Sequence, residues 1–198
     1  MRRLARRSGA TDAELALLLP GDDLVGDPVL VMDRAATFDV PPEVLWPWLV
    51  QLGKHRGGWY FPRLMAPLTA RVAGMAGAVE VERRWQQLAV GDEVPDYGPG
   101  EPVFRAQIVS PPQTLVWLTR RDPAAGHRWP SSPDTPALVL SWGLYLTALP
   151  GGRTRLQLRV RARPARPWRI PGLMGVLAGM ADWVTVVALF RGLRERLA

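Results

Sequence analysis

The 198-residue chain has no cysteine, a single lysine and two histidines. Without cysteine there are no disulfides and no thiol catalysis, and nothing indicates a redox compartment. His55 and His127 leave little scope for a histidine-based metal site, so neither metal nor cofactor is expected. A Gly-x-Ser-x-Gly elbow, a Walker loop and a dinucleotide fingerprint are also missing, which removes the enzyme classes that carry those motifs. Arg2, Arg3, Arg6 and Arg7 are not followed by a signal-peptide core. The apolar run Leu15–Leu19 is too short and comes after Asp12 and Glu14, so a cytoplasmic location is expected.

What the chain does have is charge of one sign and a large apolar fraction. The net charge is +7, carried almost wholly by arginine, with 47% hydrophobic residues and nine tryptophans. A basic chain is drawn to phosphates and anionic lipid surfaces. No recognition helix, RNP motif or zinc finger accompanies the charge, so nucleic acid is not an expected partner. The length fits one domain that buries roughly 70% of its unfolded surface.

Thr11-Asp12-Ala13-Glu14 has the form of a capping box opening a short helix that Pro20-Gly21 ends. Residues 1–27 read as an extension, and residues 28–198 as the main domain. A strand is predicted over Val29–Val40 and a helix over Pro42–Leu52, whose prolines suit a first turn. A second helix is predicted over Pro62–Met75, with Leu64, Leu68, Val72 and Met75 at helical spacing and Pro67 set to kink it or delay its start. Further strands are expected over Val79–Gln86, Glu93–Asp96, Val103–Val109, Thr114–Arg120, Leu138–Leu149 and Arg153–Ala162. Gly91-Asp92, Pro111-Pro112 and Gly151-Gly152 mark turns.

The last two strands are the clearest. Leu138, Leu140, Trp142, Leu144, Leu146 and Ala148 share one face, as do Thr154, Leu156, Leu158, Val160 and Ala162. Arg155, Gln157, Arg159, Arg161 and Arg163 share the other, which reads as a solvated outer face. The proline-rich loop from Arg121 to Thr135, with His127 and Trp129, has the length of a lid or of a disordered segment.

The segment Ala36-Thr37-Phe38-Asp39-Val40-Pro41-Pro42-Glu43-Val44-Leu45-Trp46 runs from a strand through a double proline into a helix. It is followed by Gly53, Arg56, Gly58 and Tyr60. Further on come Trp85-Gln86-x-Leu88-x-Val90-Gly91-Asp92-x-Val94, then Trp142 and Gly152-Arg153-Thr154-Arg155-Leu156. In order and spacing these resemble the START-like, or SRPBCC, superfamily, and within it bacterial polyketide cyclase-like members of unknown substrate. The matches run from about Pro28 to Ala162.

The resemblance implies an α+β helix-grip (START/Bet v 1-like) fold. In it a curved antiparallel sheet wraps a long C-terminal helix, with two short helices after the first strand and an elongated apolar cavity between sheet and helix. The implied ligand is an apolar small molecule or lipid, and a polyketide cyclase or dehydratase working in the same cavity is the alternative. The chain departs from the family's pattern at Phe61-Pro62-Arg63, where relatives place a small polar residue, an aromatic and an acid. It departs again at Arg84, where relatives commonly carry glutamate.

Inward-facing Trp85, Trp117, Trp142, Leu144, Leu156 and Leu158 are the candidate cavity wall, and broad aromatic faces suit flat apolar ligands. A cyclase would need a general base or hydrogen-bond donors inside the cavity. Arg84, Gln86, Gln107, Tyr145 and Asp182 are the polar groups available for that, together with His55, which its cationic neighbours Lys54 and Arg56 would hold neutral.

From Ile170 to Phe190 the only charge is Asp182. Two arrangements fit a C-terminal helix over about 171–197. In one, the stripe Gly172, Gly175, Gly179 and Asp182 faces the sheet and cavity, and a partner subunit or the N-terminal extension covers the outer apolar face. In the other the helix meets or spans a membrane, with Gly175-x-x-x-Gly179 as a pairing motif. Asp182 near its middle opposes spanning by about 2.5–3.5 kcal/mol.

Overall fold

The computed structural model describes residues 7–73, 75–97, 100–164 and 172–198. Among these residues seven strands form one sheet: β1 (Arg7–Ser8), β2 (Leu30–Phe38), β3 (Glu93–Pro95), β4 (Val103–Ser110), β5 (Thr114–Arg121), β6 (Leu138–Leu149) and β7 (Arg153–Arg163). Their order is β1-β2-β7-β6-β5-β4-β3. All neighbours are antiparallel except β1 and β2. The helices are α1 (Asp12–Ala16), α2 (Pro42–Val50), α3 (Ala66–Ala73) and α4 (Gly172–Leu197). This is the helix-grip α+β architecture, a curved sheet with α2 and α4 on its inner side.

Period-two patterning builds the sheet. β6 and β7 pair from Val139↔Arg163 to Leu149↔Arg153, and Gly151-Gly152 turns the chain between them. Their inner faces bury Leu144, Leu146, Leu156, Leu158 and Val160. α2 packs on these strands and contributes Leu45, Trp46, Leu49 and Val50 to the same core. Each such side chain contributes about 1.5–3 kcal/mol by leaving water. At the C-terminal end of α4, Phe190 meets Phe38 of β2 edge-on, with ring centroids 5.9 Å apart.

Two expected elements differ. Val79–Gln86 is not a strand; it is irregular and ends in a 3-10 turn at Arg83–Trp85. The alternation of Val79, Glu80, Val81 and Glu82 imitates a strand, but the local backbone bonds to a side chain instead. Gln51 accepts from the Glu82 N–H at 2.9 Å and donates to the Glu80 carbonyl at 3.1 Å. α3 begins at Ala66, so Pro67 falls in its first turn and delays the helix rather than kinking it. Its apolar positions do not form a buried stripe, since Leu64 and Leu68 are exposed.

The outer row is covered from Arg155 to Arg161 rather than solvated, and only Arg163 at its end is exposed. The segment from Gly9 to Val25 lies across the outer face as a strap. Arg155 makes a forked pair with Glu14, at 2.6 and 2.8 Å, and also donates to the Gly9 carbonyl. Arg159 donates to the carbonyls of Glu14, Leu15 and Leu17 and pairs with Asp22 at 2.9 Å and Asp33 at 2.8 Å. Tyr145 donates to the Pro20 carbonyl. The capping box of α1 is formed in full between Thr11 and Glu14. Gly9 has φ +71°, and a Cβ there would lie 2.1 Å from the Ala35 carbonyl oxygen, so only glycine fits where the strap leaves the sheet.

α4 packs against β2. Arg34, on the inner face, pairs with Asp182 at 2.8 Å and donates to the Gly179 carbonyl. Trp183 donates to the Ser8 hydroxyl at 3.3 Å. Among the described residues no helix is long and apolar enough to cross a membrane, so the spanning arrangement finds no support there. Gly172 and Gly175 belong to the part of α4 described by its backbone alone, and Ile170 and Pro171 lie outside the described residues.

Candidate functional site

The loop after α2 carries the motif glycines, arginine and tyrosine, and each has a structural task. Gly53 and Gly58 bridge to each other. Gly58 has φ +69° and passes so close to the Ala76 carbonyl that a Cβ would sit 1.7 Å from it. Arg56 donates to the carbonyls of Val50 and Trp85. Buried Tyr60 donates to the Trp48 carbonyl at 2.8 Å, and desolvation pushes its phenol pKa well up. Between Gly58 and Tyr60 this scaffold holds Trp59, whose indole N–H donates to the Thr185 carbonyl of α4 at 3.1 Å.

Trp59 stacks on the sheet's aromatic wall. Trp117 and Trp142 lie directly opposite one another on β5 and β6, with ring centroids 4.9 Å apart and planes 21° apart. Trp142 also stacks with Trp59, at 5.4 Å and 24°, and Phe104 of β4 tilts towards it at 6.3 Å. Offset aromatic contacts of this kind contribute about 0.5–1.5 kcal/mol each beyond burial.

Beside these rings lies a small cavity of about 20 Å³. That is room for about one water. Its walls are Trp59, Trp117, Trp142 and Phe104, with Leu52, Gly53, Val94, Pro95, Asp96 and Tyr97 closing it. Asp96 is ion-paired with Arg121, whose guanidinium also lies 5.6 Å over the Phe104 ring. Burial, and then the Asp96 carboxylate, push the Tyr97 phenol up. Trp117 is 1% exposed, and among the described residues its indole N–H has no hydrogen-bond partner.

Of the residues singled out from the sequence, Trp117 and Trp142 are brought together on the cavity wall. Leu144, Leu156 and Leu158 are fully buried in the closed core under α2. Trp85 lies in the 3-10 turn outside the cavity lining, with Arg56 and Arg84 at 4.8 and 4.9 Å from its ring. Asp182 is engaged by Arg34; burial raises its carboxyl pKa to about 6 against the opposing pull of that guanidinium.

The remaining polar candidates are dispersed. Arg84 pairs with Glu82. Gln86 donates to the Pro47 carbonyl and to Gln51. Gln107 sits at the irregularity between Ala106 and Ile108 and donates to the Arg105 carbonyl. Tyr145 is on the outer face. His55 is an exposed loop residue at φ +62°. Sequence reasoning missed Trp59, Phe104, Asp96 and Tyr97. A signal existed for two of them: Trp59 follows a double glycine, and Phe104 keeps step with Ala106 along β4.

No family model matches this chain, and no curated protein does. Solved structures resemble it in part. A Mesorhizobium loti protein is 18% identical over 84% of this chain and 96% of its own, with a TM-score of 0.48. An HSP90 activator from Plasmodium falciparum is 15% identical over 84% and 95%, at 0.45. Ara h 8.0201 is 11% identical over 84% and 97%, at 0.47.

Proposed function

We propose that this START-like helix-grip domain binds an apolar small molecule or lipid non-covalently, at the tryptophan wall between β4–β6 and the loop after α2. The observation that carries the reading is the cavity flanked by Trp59, Trp117 and Trp142. Rigid aromatic faces offer large contact area at little conformational cost, which suits capture of an apolar ligand. A cyclase-like reaction in the same cavity would need a free base or acid there. Asp96 is held by Arg121, and Arg84, Gln86, Gln107, Tyr145 and Asp182 all bond elsewhere, which favours binding over catalysis.

Native mass spectrometry on protein made in a bacterial host and purified without detergent tests this. The expected result is a reproducible excess mass that organic solvent releases. A bare-chain mass that stays bare after incubation with a panel of lipids and aromatic compounds would count against the proposal.

A further inference from the structure

α3 carries its amphipathic pattern inside out. Helical turns begin just before it, where the Met65 and Ala66 N–H groups donate to the Pro62 carbonyl. Counted from there, Pro62, Ala66 and Thr69 share one side at helical spacing and are half-buried. Leu64, Leu68 and Arg71 share the opposite side and are exposed, the two leucines at 93% and 63%. A helix that serves only its own core turns its leucines inward and its small or polar residues out.

The excursion that carries α3 stands on a fixed base. Arg196 of α4 donates to the Phe61 carbonyl, where the chain leaves, at 3.2 Å. The same side chain donates to the Ala78 carbonyl, where the chain returns, at 2.7 Å. Val79, next to that returning root, is 85% exposed. From Phe61 to Val79 there is no acidic residue, while Arg63 and Arg71 are exposed. Arg71 makes no ion pair among the described residues.

Protruding apolar side chains beside unopposed cations match the two layers of an anionic bilayer surface, negative headgroups over hydrocarbon. A protein partner would need more, because a stable interface buries about 800 Å² on each side. Leu64, Leu68 and Val79 together expose only part of that. We propose that the outward face of α3 docks the protein reversibly on an anionic lipid bilayer. Leu64 and Leu68 enter the headgroup layer, and Arg71 pairs with lipid phosphates. The contact is separate from the tryptophan-lined cavity and does not depend on what that cavity holds.

Flotation of the full chain with vesicles tests it, comparing equal parts phosphatidylglycerol and phosphatidylcholine with phosphatidylcholine alone. Binding should be roughly tenfold stronger on the mixed vesicles, the factor that one or two arginines near a charged surface supply. Leu64→Ser with Leu68→Ser keeps the net charge and should weaken binding to mixed vesicles by roughly tenfold or more. Leu17→Ser with Leu18→Ser is the matched control, at strap positions 51% and 93% exposed. It should leave binding within about twofold of the parent. All four positions are exposed, and unchanged melting temperatures would confirm that both variants fold.

Failure of the unmodified protein to bind the mixed vesicles overturns the proposal. So does binding that the α3 substitutions leave unchanged, or that both leucine pairs weaken alike, since either would be the general attraction of a chain of net charge +7. A dimer in solution that dissociates when Leu64 and Leu68 are replaced overturns it too, and assigns the face to a second copy. The native mass spectrum for bound cargo is a separate measurement, so the failure of either reading leaves the other standing.

Discussion

Asp33 and Arg34 are adjacent in β2, both are buried, and they serve opposite faces of the sheet. Outside, Asp33 accepts from Arg159 and Gln157, and Arg159 runs on to Asp22 and three strap carbonyls. Inside, Arg34 meets Asp182 and the Gly179 carbonyl among apolar neighbours such as Met32 and Ala36. The outer system is a network in which charge is spread over many acceptors. The inner one centres on one ion pair in an apolar setting. A buried arginine thus does two jobs here: on one face it stitches a segment of backbone, and on the other it orients a helix.

The comparison breaks most decisively at Arg159. Arg159→Ala should cost about 3–5 kcal/mol, because it strands Asp33 and several strap carbonyls. Urea unfolding should read that loss, and amides in the strap should lose hydrogen-exchange protection. A change below about 1 kcal/mol would mean that the network is ornamental. On the inner face, Arg34→Met should cost about 3 kcal/mol, at the low end because Asp182 can take up a proton. The double change Arg34→Met with Asp182→Leu should return to within about 1 kcal/mol of the parent. Equal destabilisation in single and double variants would show that Arg34 matters beyond its pair.

The smallest effect, and the one that separates the faces most cleanly, is the response to pH. Glu14 is held at about 2 against an ordinary 4.5, chiefly by its hydrogen bonds from Arg155. Its contribution is complete above pH 4.5 and is lost as pH falls towards 2. Asp182 is raised from 3.8 to about 6 by burial. Its contribution runs the other way: present below pH 3.8, it is lost as pH rises through about 6. Melting temperatures across pH 2–7 should show both limbs, each of about 1–2 kcal/mol. Glu14→Gln should flatten only the acid limb and Asp182→Asn only the upper one. A single limb that both variants abolish would contradict the separation of the faces.

What could be read from sequence followed local rules. The alternation in β6 and β7 and the capping box at Thr11 are complete within a few residues, and both formed as written. Where the partner is far along the chain, the pattern was silent or misleading. The arginine row of β7 looks the same whether water or the strap covers it, and only Glu14 and Asp22 arriving from far upstream decide the matter. Val79–Gln86 alternates like a strand, yet Gln51 claims its backbone. Two of the three tryptophans of the wall were legible because Trp117 and Trp142 lie on regular strands. Trp59 was not, because a loop places it, and loop placement depends on Gly53, Gly58 and α4 together.

The strap also sets an order of events. Its clasps span the chain: Arg159 reaches Glu14 across 145 positions, and Arg155 reaches Gly9 across 146. A ribosome makes the strap early, but β7, the surface that receives it, comes well over a hundred residues later. Until then Glu14 and Asp22 lack the arginines they pair with in the folded chain. Contacts of such separation slow folding, because the intervening loop must close before they repay its entropy. The last strand and last helix therefore complete the beginning of the molecule as well as its end, and a nascent chain halted before β7 would leave its first residues without a seat.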